Sequence, residues 1–183
     1  MESSHRHIEF LFIDRDGCGR CSGTEEHLLA AIDQAREELA TRGVTTSLES
    51  VHVTDAQTAM ERRLISSPTV RVNGRDIAGA LLESQCEADS CKCGDGTPID
   101  CRVWEWKGRT YDVPPVEMLV ARILEPTGPA LSERDDVLPQ NLARYFSDGD
   151  DAGCCAPTVA ATCCAPADKV ACCGDEGDAC SCK

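Results

Sequence analysis

The apolar positions of this chain fall into a short series of strand-like and helix-like blocks. His7–Ile13 (HIEFLFI) is apolar enough for a buried strand, and it runs into the turn-rich Asp14–Gly17. From about Ser22 to Arg42 the apolar residues Leu28, Leu29, Ile32, Ala35 and Leu39 recur at helical spacing, and Gly43 is a natural stop. Thr46–Val53 reads as a second strand. Thr54 or Asp55 can cap a short helix through Leu64. Ser67-Pro68 leads into an alternating strand, Thr69–Asn73, and Asn73-Gly74 is a hairpin turn into Arg75–Ile77. Cys101–Trp106 and Thr110–Val113 form a second hairpin around Lys107-Gly108. Pro114 starts a helix through Leu124 with Val116, Met118, Leu119 and Ile123 on one face, and Leu138–Phe146 is a last short amphipathic helix.

After Ser147 the pattern stops. Residues 1–146 carry 25 acidic and 16 basic residues, every aromatic and nearly all the large aliphatics. Residues 147–183 carry 7 acidic and 2 basic residues, two Val, no Leu or Ile and no aromatic. Such a segment cannot bury enough apolar surface to offset its ordering entropy, so it is predicted to be a disordered tail until something binds it. The 183 residues thus provide one domain, 1–146, and an appendage, 147–183.

Composition narrows the function. A formal charge of −14 argues against nucleic acid or an anionic membrane surface as partner. The longest apolar runs, such as Ile8–Ile13, fall far short of the roughly 20 residues of a membrane span. The N-terminus shows no secretory signal, so a cytoplasmic location is expected. In that setting 14 cysteines point to redox or soft-metal chemistry rather than a disulfide scaffold.

Cys18-Gly19-Arg20-Cys21 lies between the first strand and the long helix. A helix N-terminus favours a thiolate, and Arg20 is expected to add a cation nearby. Cys18 is then the nucleophile and Cys21 the resolving thiol, although the pair could equally hold a soft ion. Pro68 directly precedes the third strand; the order of elements resembles that of thioredoxin-fold proteins, which implies a cis-proline packed against the motif there, and Pro68 is counted with the catalytic residues.

The strand–CxxC–helix opening, the segment SSPTVRVNGRDI (Ser66–Ile77) and the segment DCRVWEWKGRTYDVPP (Asp100–Pro115) together resemble a thioredoxin-like bacterial and archaeal family of unassigned activity. Its members occur beside arsenic- and mercury-resistance genes, and some carry the label alkylmercury lyase. The resemblance spans roughly residues 7–125. It implies an α/β, thioredoxin-like fold with a hairpin–helix extension, and a link to metalloid or mercury handling. It does not extend to the catalytic motifs of well-characterised organomercurial lyases. Arg20 also departs from the Gly-Pro pair of thioredoxin itself.

The other cysteines form two groups. Cys86, Cys91, Cys93 and Cys101 lie within sixteen residues in a Gly/Asp-rich insertion. They suit a structural zinc, a second soft-metal site or relay thiols. In the tail, Cys154-Cys155, Cys163-Cys164 and Cys172-Cys173 repeat every nine residues, and Cys180 and Cys182 close the series. Vicinal thiols separated by Pro and Gly spacers suit As(III), Hg(II) or Zn(II), and softness selects against Mg(II) and Ca(II).

The expected function is therefore binding and detoxification of a thiophilic metal or metalloid, with no organic cofactor. Partners would be the ion itself and an efflux pump or a redox protein. The alternatives are a thiol–disulfide oxidoreductase and an alkylmercury lyase-like enzyme. His5 and His7 point the same way on a strand near the chain end, and no site is expected there. His27 and His52 are expected to be packed or solvated, and Trp104 and Trp106 to cover the core.

Overall fold

The structure, a computed structural model, describes residues 4–85, 99–127 and 137–147. The chain divides into two units, Met1–Tyr145 and Phe146–Lys183, and the architecture below belongs to the first. Its elements in order are β1 (Ser4–Phe12), α1 (Gly19–Thr41), β2 (Val44–His52), α2 (Ala56–Glu61), β3 (Thr69–Val72), β4 (Arg75–Asp76), β5 (Leu82–Gln85), β6 (Asp100–Trp106), β7 (Arg109–Tyr111), α3 (Val116–Leu124) and α4 (Gln140–Ser147). This is a mixed α/β arrangement, compatible with the thioredoxin-like fold that the motif order implies.

The first sheet has the order β2-β1-β3-β4. β1 runs parallel to β2 and antiparallel to β3, so the apolar run Ile8–Ile13 becomes a central strand. Ile8, Phe10 and Leu11 are fully buried there, each contributing about 1.5–3 kcal/mol of apolar burial. All four residues of β3 are buried as well. Asn73 and Gly74, at φ +51° and +71°, supply the two left-handed residues of a tight hairpin.

α1 buries Cys21, Thr24, Leu28, Ala31, Ala35 and Leu39. Leu29, expected on that face, is 52% exposed, because the buried stripe advances in steps of three and four and leaves position 29 about 100° away. The helix also starts at Gly19 rather than Ser22, so the CxxC straddles its first turn. Asp55 caps α2, accepting from the Thr58 N–H at 2.7 Å.

A second sheet, of order β5-β6-β7, follows the first. The sequence reading supplied β6 and β7 but not β5, whose Leu-Glu-Ser-Gln carries too weak an alternation to stand out. Lys107 and Gly108 turn β6 into β7, both at positive φ. α3 then packs against α1. Asn141 of α4 accepts from the Asp100 N–H at 3.1 Å and donates to the Asp100 carbonyl at 2.7 Å, which ties α4 to the start of β6.

A buried dithiol at a helix N-terminus

Cys18 is the N-cap of α1. Its backbone is extended (φ −117°, ψ 107°), and its carbonyl accepts the first helical hydrogen bond, from Ser22 N at 3.0 Å. The turn before it is closed by Asp14 Oδ1, which accepts from Gly17 N at 2.8 Å. Cys18 and Cys21 are 1% and 2% exposed, and both are thiols rather than a disulfide. The first-turn N–H groups and the positive end of the dipole lie at this terminus, and no acidic residue occupies the first turn.

Cys21 is held as a thiol. Its hydrogen bond to Cys18 raises its pKa far above the usual thiol value; burial and the Cys18 charge add to this, and Ser67 partly opposes it.

Opposite the dithiol the Ser67–Pro68 peptide bond is cis, as the sequence reading anticipated, and both residues are buried. Ser67 Oγ lies 3.6 Å from Cys21 Sγ and accepts from the Ile13 N–H at 3.1 Å. One hydroxyl thus links the end of β1, the cis loop and the dithiol helix. Ser67 was not singled out from the sequence, and its place directly before Pro68 was the available signal.

Arg20, expected to add a cation near the thiols, makes its hydrogen bonds and ion pair with the second sheet and the segment after it. Its Nη1 donates to the Ser84 carbonyl (3.3 Å), Ser84 Oγ (3.0 Å) and the Cys101 carbonyl (3.3 Å). Its Nη2 donates to the Gln85 carbonyl (3.5 Å) and lies 2.8 Å from Asp112 Oδ1. The Asp112 carboxylate balances the guanidinium charge, and carbonyl and hydroxyl oxygens of the second sheet take its other donors.

Cys101, grouped with the insertion by its position in sequence, is 2% exposed on β6. It pairs in register with Ser84, so their side chains share a face, the one that Arg20 contacts. Cys86, Cys91 and Cys93, and Cys154, Cys155, Cys163, Cys164, Cys172, Cys173, Cys180 and Cys182, lie outside the described residues.

Among the described residues, the one group of three metal-type ligands whose donor atoms lie within 4.8 Å of one another is His7, Glu9 and Glu49. Glu9 and Glu49 are register partners across β1 and β2, which no single-strand pattern shows. The Arg62 guanidinium already sits there, 2.9 Å from Glu49 Oε1 and 3.9 Å from Glu9 Oε1. The cluster is thus an ion-pair network centred on Arg62. His52 Nε2 donates to the Ile13 carbonyl (2.7 Å) and the ring stacks on Phe12, and His27 Nδ1 donates to the Pro114 carbonyl (2.8 Å). His27 is half-buried and His52 exposed, within the expectation that they are packed or solvated. Trp104 is fully buried and covers the core.

These features define a mixed α/β protein with a sealed dithiol at the first turn of a 23-residue helix. Residues 7–123 match the model of the DUF2703 family, a domain of unknown function, and the chain belongs to that family. Comparisons with curated proteins and with solved structures found no match. Among the described residues no helix is long and apolar enough to cross a membrane.

Proposed function

We propose that this is a cytoplasmic thioredoxin-like protein that captures thiophilic metal or metalloid ions at Cys18 and Cys21 and serves resistance to them. The observation that carries the reading is the pair of thiols one helical turn apart, beside cis-Pro68, with 1% and 2% exposure. A site this closed suits a ligand of a few atoms better than the disulfide of a folded protein.

Capture needs no oxidant. Hg²⁺ exchanges its ligands for two thiolates and releases two protons. As(OH)₃ condenses with two thiols to (RS)₂AsOH and two waters. Thiolate exchange then passes the ion between thiol groups, because each step replaces one sulfur with another. Cys101, the insertion cysteines and the vicinal tail pairs supply the further thiolates, with the tail as the first point of capture. Efflux through a pump, or release by a redox partner, would complete the cycle.

The test is native mass spectrometry of the reduced full-length chain titrated with As(III), Hg(II) and Zn(II). The same titration is run on variants carrying serine at the eight tail cysteines or at Cys18 and Cys21. Loss of several ions with the tail replaced, and of one with the dithiol replaced, is the expected result. If the Cys18 and Cys21 variant binds and hands on metal as the unmodified chain does, the dithiol is not the site.

Thiol–disulfide exchange with a protein is the second reading, favoured by the hydrogen bond between Cys18 and Cys21 at the helix N-terminus. It predicts insulin-disulfide reduction that survives loss of the tail cysteines and disappears in Cys18→Ser. Release of the hydrocarbon from phenylmercury would instead identify a lyase.

A further inference from the structure

Arg20 lies between the two cysteines of the dithiol, yet its guanidinium hydrogen-bonds and ion-pairs with the second sheet and the segment after it. It is 9% exposed and reaches five polar groups on the second sheet and the segment following it. Ser84 and Gln85 end β5, and Asp100 and Cys101 begin β6; Ser84 pairs with Cys101 and Gln85 with Asp100. Arg20 therefore grips both strands at the same end of their ladder, with Asp112 balancing the charge.

One further bond joins β6 to the cis loop, and another joins α1 to the segment ahead of α3. The Arg102 N–H donates to the Ser67 carbonyl at 2.9 Å, beside cis-Pro68, and His27 bonds the Pro114 carbonyl at 2.8 Å. Among these ties only Arg20 springs from the CxxC itself. A guanidinium with its donors in a rigid fork can hold several carbonyls at once, which a lysine point charge cannot.

We infer that Arg20 is a positioning residue that sets the size of ligand the dithiol accepts, by pinning the paired ends of β5 and β6 against the first turn of α1. This rests on the reading of Cys18 and Cys21 as a small-ligand thiol site. With Arg20 in place the dithiol meets ions and reagents of a few atoms. Without it the strand ends can separate from the helix, and bulkier electrophiles reach the sulfurs.

The experiment is pulse labelling of the full-length reduced chain, with the Cys18–Cys21 peptide quantified by mass spectrometry. The small reagent is methyl methanethiosulfonate, which forms a methyl disulfide on the attacking thiolate and expels methanesulfinate. The bulky reagent is 4,4′-dithiodipyridine, which forms a pyridyl disulfide and expels the thiopyridone. Both are neutral, so removing the Arg20 charge does not itself bias them. Rates are normalised to those of glutathione.

In the unmodified chain the small reagent should lead by on the order of tenfold or more, the factor that separates a sealed from an open site at the ~1.4 kcal/mol level. Arg20→Gln should bring the ratio close to one, Arg20→Lys should restore part of it, and Asp112→Asn should lower it partially. Circular dichroism and the fluorescence of buried Trp104 report whether each variant is folded. A folded Arg20→Gln chain that keeps the full ratio overturns the inference. If Arg20→Gln does not fold, Asp112→Asn decides by the same ratio, and an unchanged value overturns it. A chain that shows the size ratio but binds neither As(III) nor Hg(II) at the dithiol retains the gate and loses the proposed function.

Discussion

Ser67 Oγ stands 3.6 Å from Cys21 Sγ while accepting the Ile13 N–H at 3.1 Å, so a single buried hydroxyl serves the dithiol and the end of the central strand together. Ser67→Ala leaves the buried Ile13 donor without that acceptor. It should cost about 1–3 kcal/mol in urea denaturation. It also removes the contact that partly offsets the raised pKa of Cys21. Thiol labelling of Cys21 should then need higher pH than in the unmodified chain. Unchanged stability would show that water or another group takes the Ile13 proton.

Alkaline pH should destabilise the reduced protein. Cys21 keeps its proton in the fold, whereas in the unfolded chain it ionises near the ordinary thiol value of about 8.5. A group whose folded pKa is raised stabilises fully below the unfolded value and loses that contribution as pH rises toward the folded one. Stability from this residue should therefore be flat below about pH 8. It should then fall by up to about 1.4 kcal/mol per pH unit above the unfolded value. Thermal melts from pH 7 to 10.5 on the unmodified chain and Cys21→Ser test this, and equal slopes would reject it.

Gly23 is positioned where a Cβ would meet Val113 Cγ2 at 2.9 Å. Alanine would ordinarily gain up to about 1 kcal/mol inside a helix. Overpacking typically costs about 1–3 kcal/mol, and valine is stiff about χ1, so the clash should win. Gly23→Ala should be destabilising and Gly23→Ala with Val113→Ala should recover most of the loss. Strict additivity of the two substitutions would mean that they do not meet.

The buried Arg102–Asp76 pair should show the asymmetry of interior charges. Nη1 donates to Oδ1 at 3.2 Å, and Nη2 lies 2.9 Å from Oδ2, close enough for attraction but off the line of its N–H bonds. Arg102 is 1% exposed. Asp76→Ala should cost about 3–5 kcal/mol by stranding the cation, while replacing both residues with apolar ones should cost much less. Chemical denaturation of the two variants distinguishes these outcomes, and equal losses would remove the asymmetry.

Much of the fold was legible along the chain. The apolar block of β1, the helical periodicity of α1, the Asp55 cap and the Asn73-Gly74 and Lys107-Gly108 turns are local signals, carried by residues near one another in sequence. The cis bond before Pro68 followed from motif order in the same way. β5 was not legible, because Leu82–Gln85 becomes a strand only through pairing with β6.

For the site, spacing and periodicity along the chain place Cys18 and Cys21 between the first strand and a long helix, because both signals are local; that the helix begins at Gly19 and takes the motif into its first turn is seen in the fold. What Arg20 does was decided only by tertiary structure. Its side chain is long enough to serve either the thiols beside it or carbonyls sixty to eighty residues away. The fold brought Ser84, Gln85, Cys101 and Asp112 within its reach, and the several donors of one guanidinium serve their oxygens together. The Ser67 bridge and the Glu9–Glu49 pairing have the same origin. Hydrogen bonds and charge pairs form between groups that are close in space, and proximity across strands is fixed by register and packing, which no stretch of sequence encodes alone.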